Sequence, residues 1–179
     1  MNNNSSTSPS RPDASEFAEY YGKYIATVAG DDVLASLTKQ AAALDPLRAL
    51  SDADALRRYE PDKWSVKEVV GHVTDAERIF ACRMLRIARG DATPLPGFDQ
   101  QVYVESAGFD ARPINALVDA FRTQRAATLS IADEIGADEW RRMGTASGFP
   151  VSARALAFIV AGHAAHHVSL LRDRYGIAV

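Results

Sequence analysis

Three of the four histidines in this 179-residue chain lie in one stretch, FIVAGHAAHHVSLL, residues 158–171. His163 and His167 are four positions apart, so on an α-helix their side chains lie on one face, a turn apart. Two imidazoles at this spacing are the arrangement by which metal-binding helices hold one divalent ion. The stretch therefore predicts a metal site more directly than it predicts a reaction.

The surroundings of this pair are apolar, since Ile159 and Val160 flank the same face of the predicted helix. A buried imidazole needs a hydrogen-bond partner, and the neighbouring Ala, Val, Ile and Leu side chains offer none. Core histidines that are satisfied elsewhere in the fold are the alternative at this point. His166 falls at the edge of the stripe and is a candidate pocket or outer-shell residue.

The fourth histidine, His72, lies near the edge of the apolar face of a second predicted helix. If the two helices are neighbours, His72 completes a three-nitrogen site with His163 and His167. Three protein ligands with a further position left to water is the arrangement typical of catalytic zinc. Asp75, three residues after His72, is a candidate partner outside the ligand set, with a solvent-facing position as the alternative.

Two charged residues, Glu77 and Arg125, fall on apolar faces of predicted helices. Each is costly to bury without a partner. One interpretation is that they pair across the protein and fix its register. The other is that Arg125 lines a pocket near the metal and receives an anionic substrate group, with Glu77 as a general base or as a partner of a ligand. Cys82, the single cysteine, is predicted to be a packing residue.

The elements that must position these residues are helical, since apolar residues recur at helical spacing in four long segments and strand signals are nearly absent. Ser65 and Glu68 form a capping-box pattern at the start of the second segment. Four amphipathic helices bury their apolar faces most simply as an all-α four-helix bundle. The predicted helices span residues 31–50, with a kink or early end at Pro46, then 65–90, 113–136 and 152–175.

The connection between the second and third helices, residues 91–112, is long for a loop and predicts either a function or short helical turns. Residues 1–15 are rich in Asn, Ser and Thr and are predicted to be a disordered tail. Residues 16–179 then form a single domain, which begins with an aromatic-rich segment predicted to lie on the bundle.

The composition excludes several classes of protein. The net charge of −3 and the scattered lysines and arginines give no footprint for nucleic acid or an anionic membrane. No apolar run is long enough to span a membrane, and no signal-peptide pattern is present. Phosphate-binding, dinucleotide-binding and serine-hydrolase motifs are also missing. A cytoplasmic protein is the expectation.

Three stretches together, DKWSVKEVVGHVTDAERIF, RIARGDATPLPGFD and AGHAAHHVSLLRDRYG, resemble the DinB-like (YfiT-like) metalloenzyme family, a widespread bacterial group of four-helix bundles. The resemblance covers residues 20–175. It implies that His72, His163 and His167 bind a divalent metal ion at one end of the bundle, with Zn, Ni, Mn and Fe all open. It also implies a homodimer.

For the activity, the resemblance implies a metal-dependent enzyme that acts on a small electrophilic substrate bound under residues 91–112. The metal would activate either a low-molecular-weight thiol, as in a thiol S-transferase, or water, as in a hydrolase. The alternative function is a non-catalytic metal- or ligand-binding bundle, in which a metal only ties two helices together.

Overall fold

The computed structural model describes residues 8–179. Its α-helices are α1 Gly22–Thr27, α2 Val33–Lys39, α3 Val66–Ala88, α4 Gln100–Ala107, α5 Ile114–Asp133 and α6 Ala153–Tyr175. The histidine-bearing helices α3 and α6 pack against each other, α3 also packs on α5, and α2 contacts both α5 and α6, so the predicted four-helix bundle is confirmed. The short helix α1 lies on α6.

Local capping residues fix where α3 and α6 begin. Ser65 Oγ accepts from the Glu68 backbone N–H at 3.0 Å, and Glu68 Oε2 accepts from the Ser65 N–H at 2.8 Å, which is the predicted capping box. Ser152 caps α6 by accepting from the Ala155 N–H. These caps set the start of each histidine helix and hence the height of its imidazoles.

The first predicted helix is shorter than expected. Helix α2 ends at Lys39, and two 3₁₀ turns, Gln40–Ala42 and Asp45–Ala49, replace the rest. Arg125 Nη1 donates to the Leu37 carbonyl at 3.1 Å, so this carbonyl has a partner near the end of α2. The prediction of a helix over residues 31–50, with a kink or early end at Pro46, was wrong in its extent, because the α-helix gives way to 3₁₀ turns before the proline.

A β-hairpin corrects the prediction that strands are nearly absent. Strands β1, Met143–Ala146, and β2, Phe149–Ser152, pair antiparallel. Ser147 and Gly148 between them both have positive φ, 54° and 83°, as a tight hairpin turn of the primed type requires. The Ser-Gly pair was the available signal, but strands of four residues are too short for a clear alternating pattern.

The connection between α3 and α5 contains helix α4 and a 3₁₀ turn at Phe109–Ala111, as its length indicated. Asp99 caps α4 through the N–H groups of Gln101 and Val102. Gly108 ends α4 in the left-handed conformation, with φ of 64°. This folded connection packs against α3.

Residues 8–15 of the predicted tail lie along the domain, and residues 1–7 lie outside the described residues. Arg11 contacts the domain by donating to the backbone carbonyls of Ile25 and Val28, each at 2.8 Å. Pro9 and Pro12 are buried. The disorder of the tail stays a prediction.

Two clusters of buried apolar side chains fill the bundle, and the histidines lie where they meet. Along α6, one cluster ends at Ala161 and the other begins at Ala164. Along α3, Val73 belongs to one cluster and Ala76 to the other. The imidazoles thus lie at the junction of the two apolar clusters. No helix within residues 8–179 has the length and hydropathy needed to cross a membrane.

Candidate metal centre

The structure brings together the three histidines that the sequence singled out. The ring centroids of His72 and His163 are 5.0 Å apart, those of His72 and His167 are 4.9 Å apart, and those of His163 and His167 are 4.6 Å apart. His72 Nε2 lies 3.2 Å from His163 Nε2. One nitrogen from each ring lies within 4.8 Å of the other two, so the three form one cluster.

One pair of donor atoms in this cluster has the separation that a shared metal ion requires. Two nitrogens bound to one tetrahedral ion at about 2.0–2.1 Å are roughly 3.3 Å apart, close to the separation of the His72 and His163 Nε2 atoms. His167 Nδ1 is buried and has no hydrogen-bond partner within residues 8–179. A buried polar atom without a partner is costly, and an ion or a water molecule would remove that cost.

Burial keeps the imidazoles neutral. Desolvation lowers the pKa of His72 to about 4, assisted by the nearby His166. It also lowers the pKa values of His163 and His167 well below the ordinary value, with the neighbouring imidazoles of the cluster adding to the effect. At neutral pH each ring therefore keeps a lone pair, which is the protonation state that binds metals.

Two aromatic residues hold the imidazoles in place. The Trp64 ring packs on His72 with centroids 4.7 Å apart, and its Nε1 donates to Gln101 Oε1 at 3.1 Å. The Tyr24 ring meets His163 edge-on at 5.3 Å. Neither residue was predicted from the sequence to belong to the site. The available signals were the aromatic-rich segment that contains Tyr24 and the Lys-Trp-Ser sequence that contains Trp64.

A cavity of about 190 Å³ opens onto His72 and His163, and its walls are mainly aromatic. We call it the aromatic chamber. Polar atoms of Gln100 and Ser147 also reach it. Its aromatic walls come from the segment before α1, from α1, from α3 and from the connection after α3: Tyr20, Tyr21, Tyr24, Phe80 and Phe98.

A second cavity, of about 290 Å³, opens onto His167. We call it the polar cleft, because Asp62, Lys63 and Gln101 lie among its walls. The cluster can therefore be approached from two sides. Trp64 lines the polar cleft and packs on His72. Gln100 lines the chamber and Gln101 lines the cleft, so Trp64 and the start of α4 lie between the two cavities.

The structure places His166 and Asp75 outside the three-histidine cluster. His166 is exposed on α6, and its ring lies 5.4 Å from Tyr24 and 5.0 Å from His167. It borders the cluster, where the sequence analysis placed it. Asp75 forms an ion pair with Arg78 at 2.8 Å on the surface of α3. Asp75 therefore matches the solvent-facing position and not the role of a partner to the ligands.

Glu77 and Arg125 form a buried ion pair between α3 and α5. Arg125 Nε and Nη2 donate to the two carboxylate oxygens of Glu77 at 2.7 and 2.8 Å, and the Thr128 hydroxyl donates to Glu77 Oε1 at 2.8 Å. Neither Glu77 nor Arg125 lines the chamber or the cleft. The register-fixing interpretation therefore matches their positions, and the pocket interpretation does not. Cys82 is exposed, contrary to the packing role predicted for it.

The fold and the site together define a helical-bundle protein with a three-histidine candidate metal centre. A family model described as the DinB superfamily matches residues 36–171. The chain belongs to this superfamily, as the three sequence stretches indicated. The matched region contains all three histidines of the cluster.

A solved structure agrees with this assignment at the level of the fold. YfiT from Bacillus subtilis matches with a TM-score of 0.68 and 15% sequence identity over 95% of each chain. It is described as a probable metal-dependent hydrolase with an unusual four-helix bundle topology. A search of the curated proteins gives no match.

Proposed function

We propose that the protein is a metal-dependent enzyme in which His72, His163 and His167 hold one divalent ion. The observation that carries the proposal is the meeting of three neutral, buried imidazoles, two of which line one cavity and the third another. Its superfamily relative YfiT, described as a probable metal-dependent hydrolase, supports the same assignment. Zn, Ni, Mn and Fe all suit three nitrogen ligands.

Bound by these imidazoles, such an ion would supply Lewis-acid chemistry and would lower the pKa of a low-molecular-weight thiol or a water molecule. The sulfur or oxygen of this nucleophile would bond to a small electrophile, whose leaving group would depart with its electron pair, and the proton of the nucleophile would pass to solvent. The protein's own contribution is orientation, because the Trp64 and Tyr24 rings pack against the imidazoles of His72 and His163.

Elemental analysis of tag-free protein tests the metal site. We expect about one equivalent of a divalent metal in the wild type and its loss in His163→Ala and in His167→Ala. His166→Ala is the matched control, because His166 is on the same helix but exposed, and we expect it to retain the metal. Stoichiometric metal in both His163→Ala and His167→Ala would contradict the assignment.

The choice between thiol and water is tested on metal-loaded protein with a small electrophile, in the presence and absence of added thiols. A rate that rises with thiol concentration, with a thioether product, indicates a transferase. A rate independent of thiol, with a hydrolysed product, indicates a hydrolase. If metal-loaded protein forms neither product, the result favours a non-catalytic binding protein.

A further inference from the structure

The aromatic residues that line the aromatic chamber limit which ligands it can bind. Five aromatic rings, together with polar residues, line a space of about 190 Å³ beside His72 and His163. A space of about 150 Å³ is enough to hold a benzene molecule. The chamber therefore has the volume for one ring with small substituents, and its aromatic residues offer the edge-to-face and offset contacts that rings prefer.

The rings of the chamber hold one another in fixed orientations. Tyr21 meets Phe80 edge-on at 6.1 Å, and Phe80 meets Phe98 at 6.4 Å. The Tyr20 and Tyr24 hydroxyls lie 3.1 Å apart and share a hydrogen bond. Because the walls support each other, the chamber is preformed, and a ligand ring loses little free energy to reorganisation.

Charge around the chamber disfavours one class of ring-binding ligand, the quaternary ammonium ions that aromatic cages commonly hold. Lys23 Nζ already lies 4.0 Å from the Tyr20 ring centroid and 5.0 Å from that of Tyr24. The Arg83 guanidinium lies 5.8 Å from Phe98 and 5.9 Å from Phe80. Two resident cations would repel a third, whereas a neutral or anionic ligand meets no such repulsion.

We propose that the aromatic chamber binds the electrophilic substrate and that this substrate is a neutral or anionic molecule with a single aromatic ring. The identification of this molecule as the substrate rests on the proposed function, whereas the ring-binding site follows from the chamber alone. The exposed residues among those that line the chamber are Tyr20, Gln100 and Ser147, so we expect polar substituents of the ring to face them and solvent.

Titration by two-dimensional NMR tests ring binding without any reaction. The probes are benzyl alcohol, its saturated counterpart cyclohexylmethanol, and the cation benzyltrimethylammonium. We expect benzyl alcohol to bind roughly 3- to 10-fold more tightly than cyclohexylmethanol, the range that aromatic pair contacts supply. The affected amides should include those of Tyr21 and Gly22. Equal or tighter binding of cyclohexylmethanol or of the cation would overturn the proposal.

Paired variants locate the site. Tyr21→Leu removes a wall ring and should weaken benzyl alcohol binding roughly 3- to 10-fold, whereas Tyr21→Phe keeps the ring and should bind like the wild type. Equal binding by the two variants would contradict the proposal. If Tyr21→Leu does not fold, the pair Tyr20→Leu and Tyr20→Phe serves the same purpose, because the Tyr20 side chain is 59% exposed.

His167→Ala separates this proposal from the metal proposal, since His167 lines the polar cleft and not the chamber. We expect this variant to lose the metal and still bind benzyl alcohol. Metal in the wild type without ring binding would overturn the chamber assignment and leave the metal site intact. Ring binding by wild-type protein that holds no metal would sink the metal proposal and support the chamber as a binding site.

Discussion

Gly162 of α6 lies directly against the backbone of Tyr24 in α1, so closely that a Cβ at position 162 would overlap the Tyr24 carbonyl group. This contact brings α1 onto α6 beside His163, the next residue in the chain. It is the reason that the Tyr24 ring reaches the His163 imidazole at 5.3 Å. One glycine thus connects the packing of a short helix to the geometry of the candidate metal centre.

Gly162→Ala should displace α1 and destabilise the protein. The obstruction is backbone rather than a flexible side chain, so relief requires movement of the helix, and we expect a loss of about 1–3 kcal/mol in the free energy of unfolding. Gly22→Ala is the control, because the Cβ there would lie 3.7 Å from Phe17, an ordinary contact. Urea unfolding measures both variants, and equal stability of the two would show that the close approach is not required.

Arg125→Met should be among the more damaging substitutions outside the histidine cluster. It leaves the Glu77 carboxylate buried without its cation, which costs about 3–5 kcal/mol. Replacing both partners, as in Glu77→Leu/Arg125→Met, should recover much of this loss, because no unpaired charge remains. Chemical unfolding of the single and double variants measures the difference.

The control for this prediction is Arg78→Met, which breaks the exposed pair with Asp75 and should change stability by less than about 1 kcal/mol. Folded Glu77→Leu/Arg125→Met protein should also keep its metal, because neither side chain lines the two cavities. Loss of metal from this folded double variant would mean that Glu77 and Arg125 contribute to the metal site.

The metal-free protein should lose stability as the pH falls below about 6.5. His72 titrates at about 4 in the folded protein and near 6.5 when exposed, so the unfolded state holds more protons between these values. Its contribution is fully present above 6.5 and declines on the order of 3 kcal/mol as the pH approaches 4. The pKa values of His163 and His167 are shifted in the same direction.

Urea unfolding of chelator-treated protein at pH 7 and pH 5 measures this effect. The interval lies above 4.5, the ordinary pKa from which Glu16 is lowered by its Arg154 partner, so carboxylates of that kind contribute little. His72→Leu should show a shallower pH dependence than the wild type. Stability that does not change between the two pH values would mean that these imidazoles are not desolvated as described.

Removing the metal should leave the bundle folded. Two apolar clusters surround the histidines and are complete without an ion, so far-ultraviolet circular dichroism should keep its helical signal after chelation. The melting temperature should fall and should recover with added metal, rising roughly with the logarithm of the metal concentration, as expected for a ligand that binds only the native state. Unfolding on chelation would instead indicate a structural metal that ties α3 to α6.

The local patterns of the chain predicted much of the framework. Apolar residues at helical spacing located α3, α5 and α6, and the Ser65 capping box fixed the start of α3, because both depend on interactions within a few residues. The same local rule put His163 and His167 on one face of α6. Helix α2 was predicted too long, since the α-helix gives way to 3₁₀ turns before Pro46, and the β-hairpin was not predicted, since its strands are too short to carry a period.

By itself, the sequence determined that two imidazoles share a helix face and that four apolar helix faces must be buried against one another. Only the tertiary structure decided that His72 meets them, that Glu77 and Arg125 satisfy one another away from the cavities, and that aromatic rings from four segments enclose one chamber. These relationships join residues far apart in the chain. They depend on helix packing and on close approaches such as that of Gly162 to Tyr24, which no local pattern encodes.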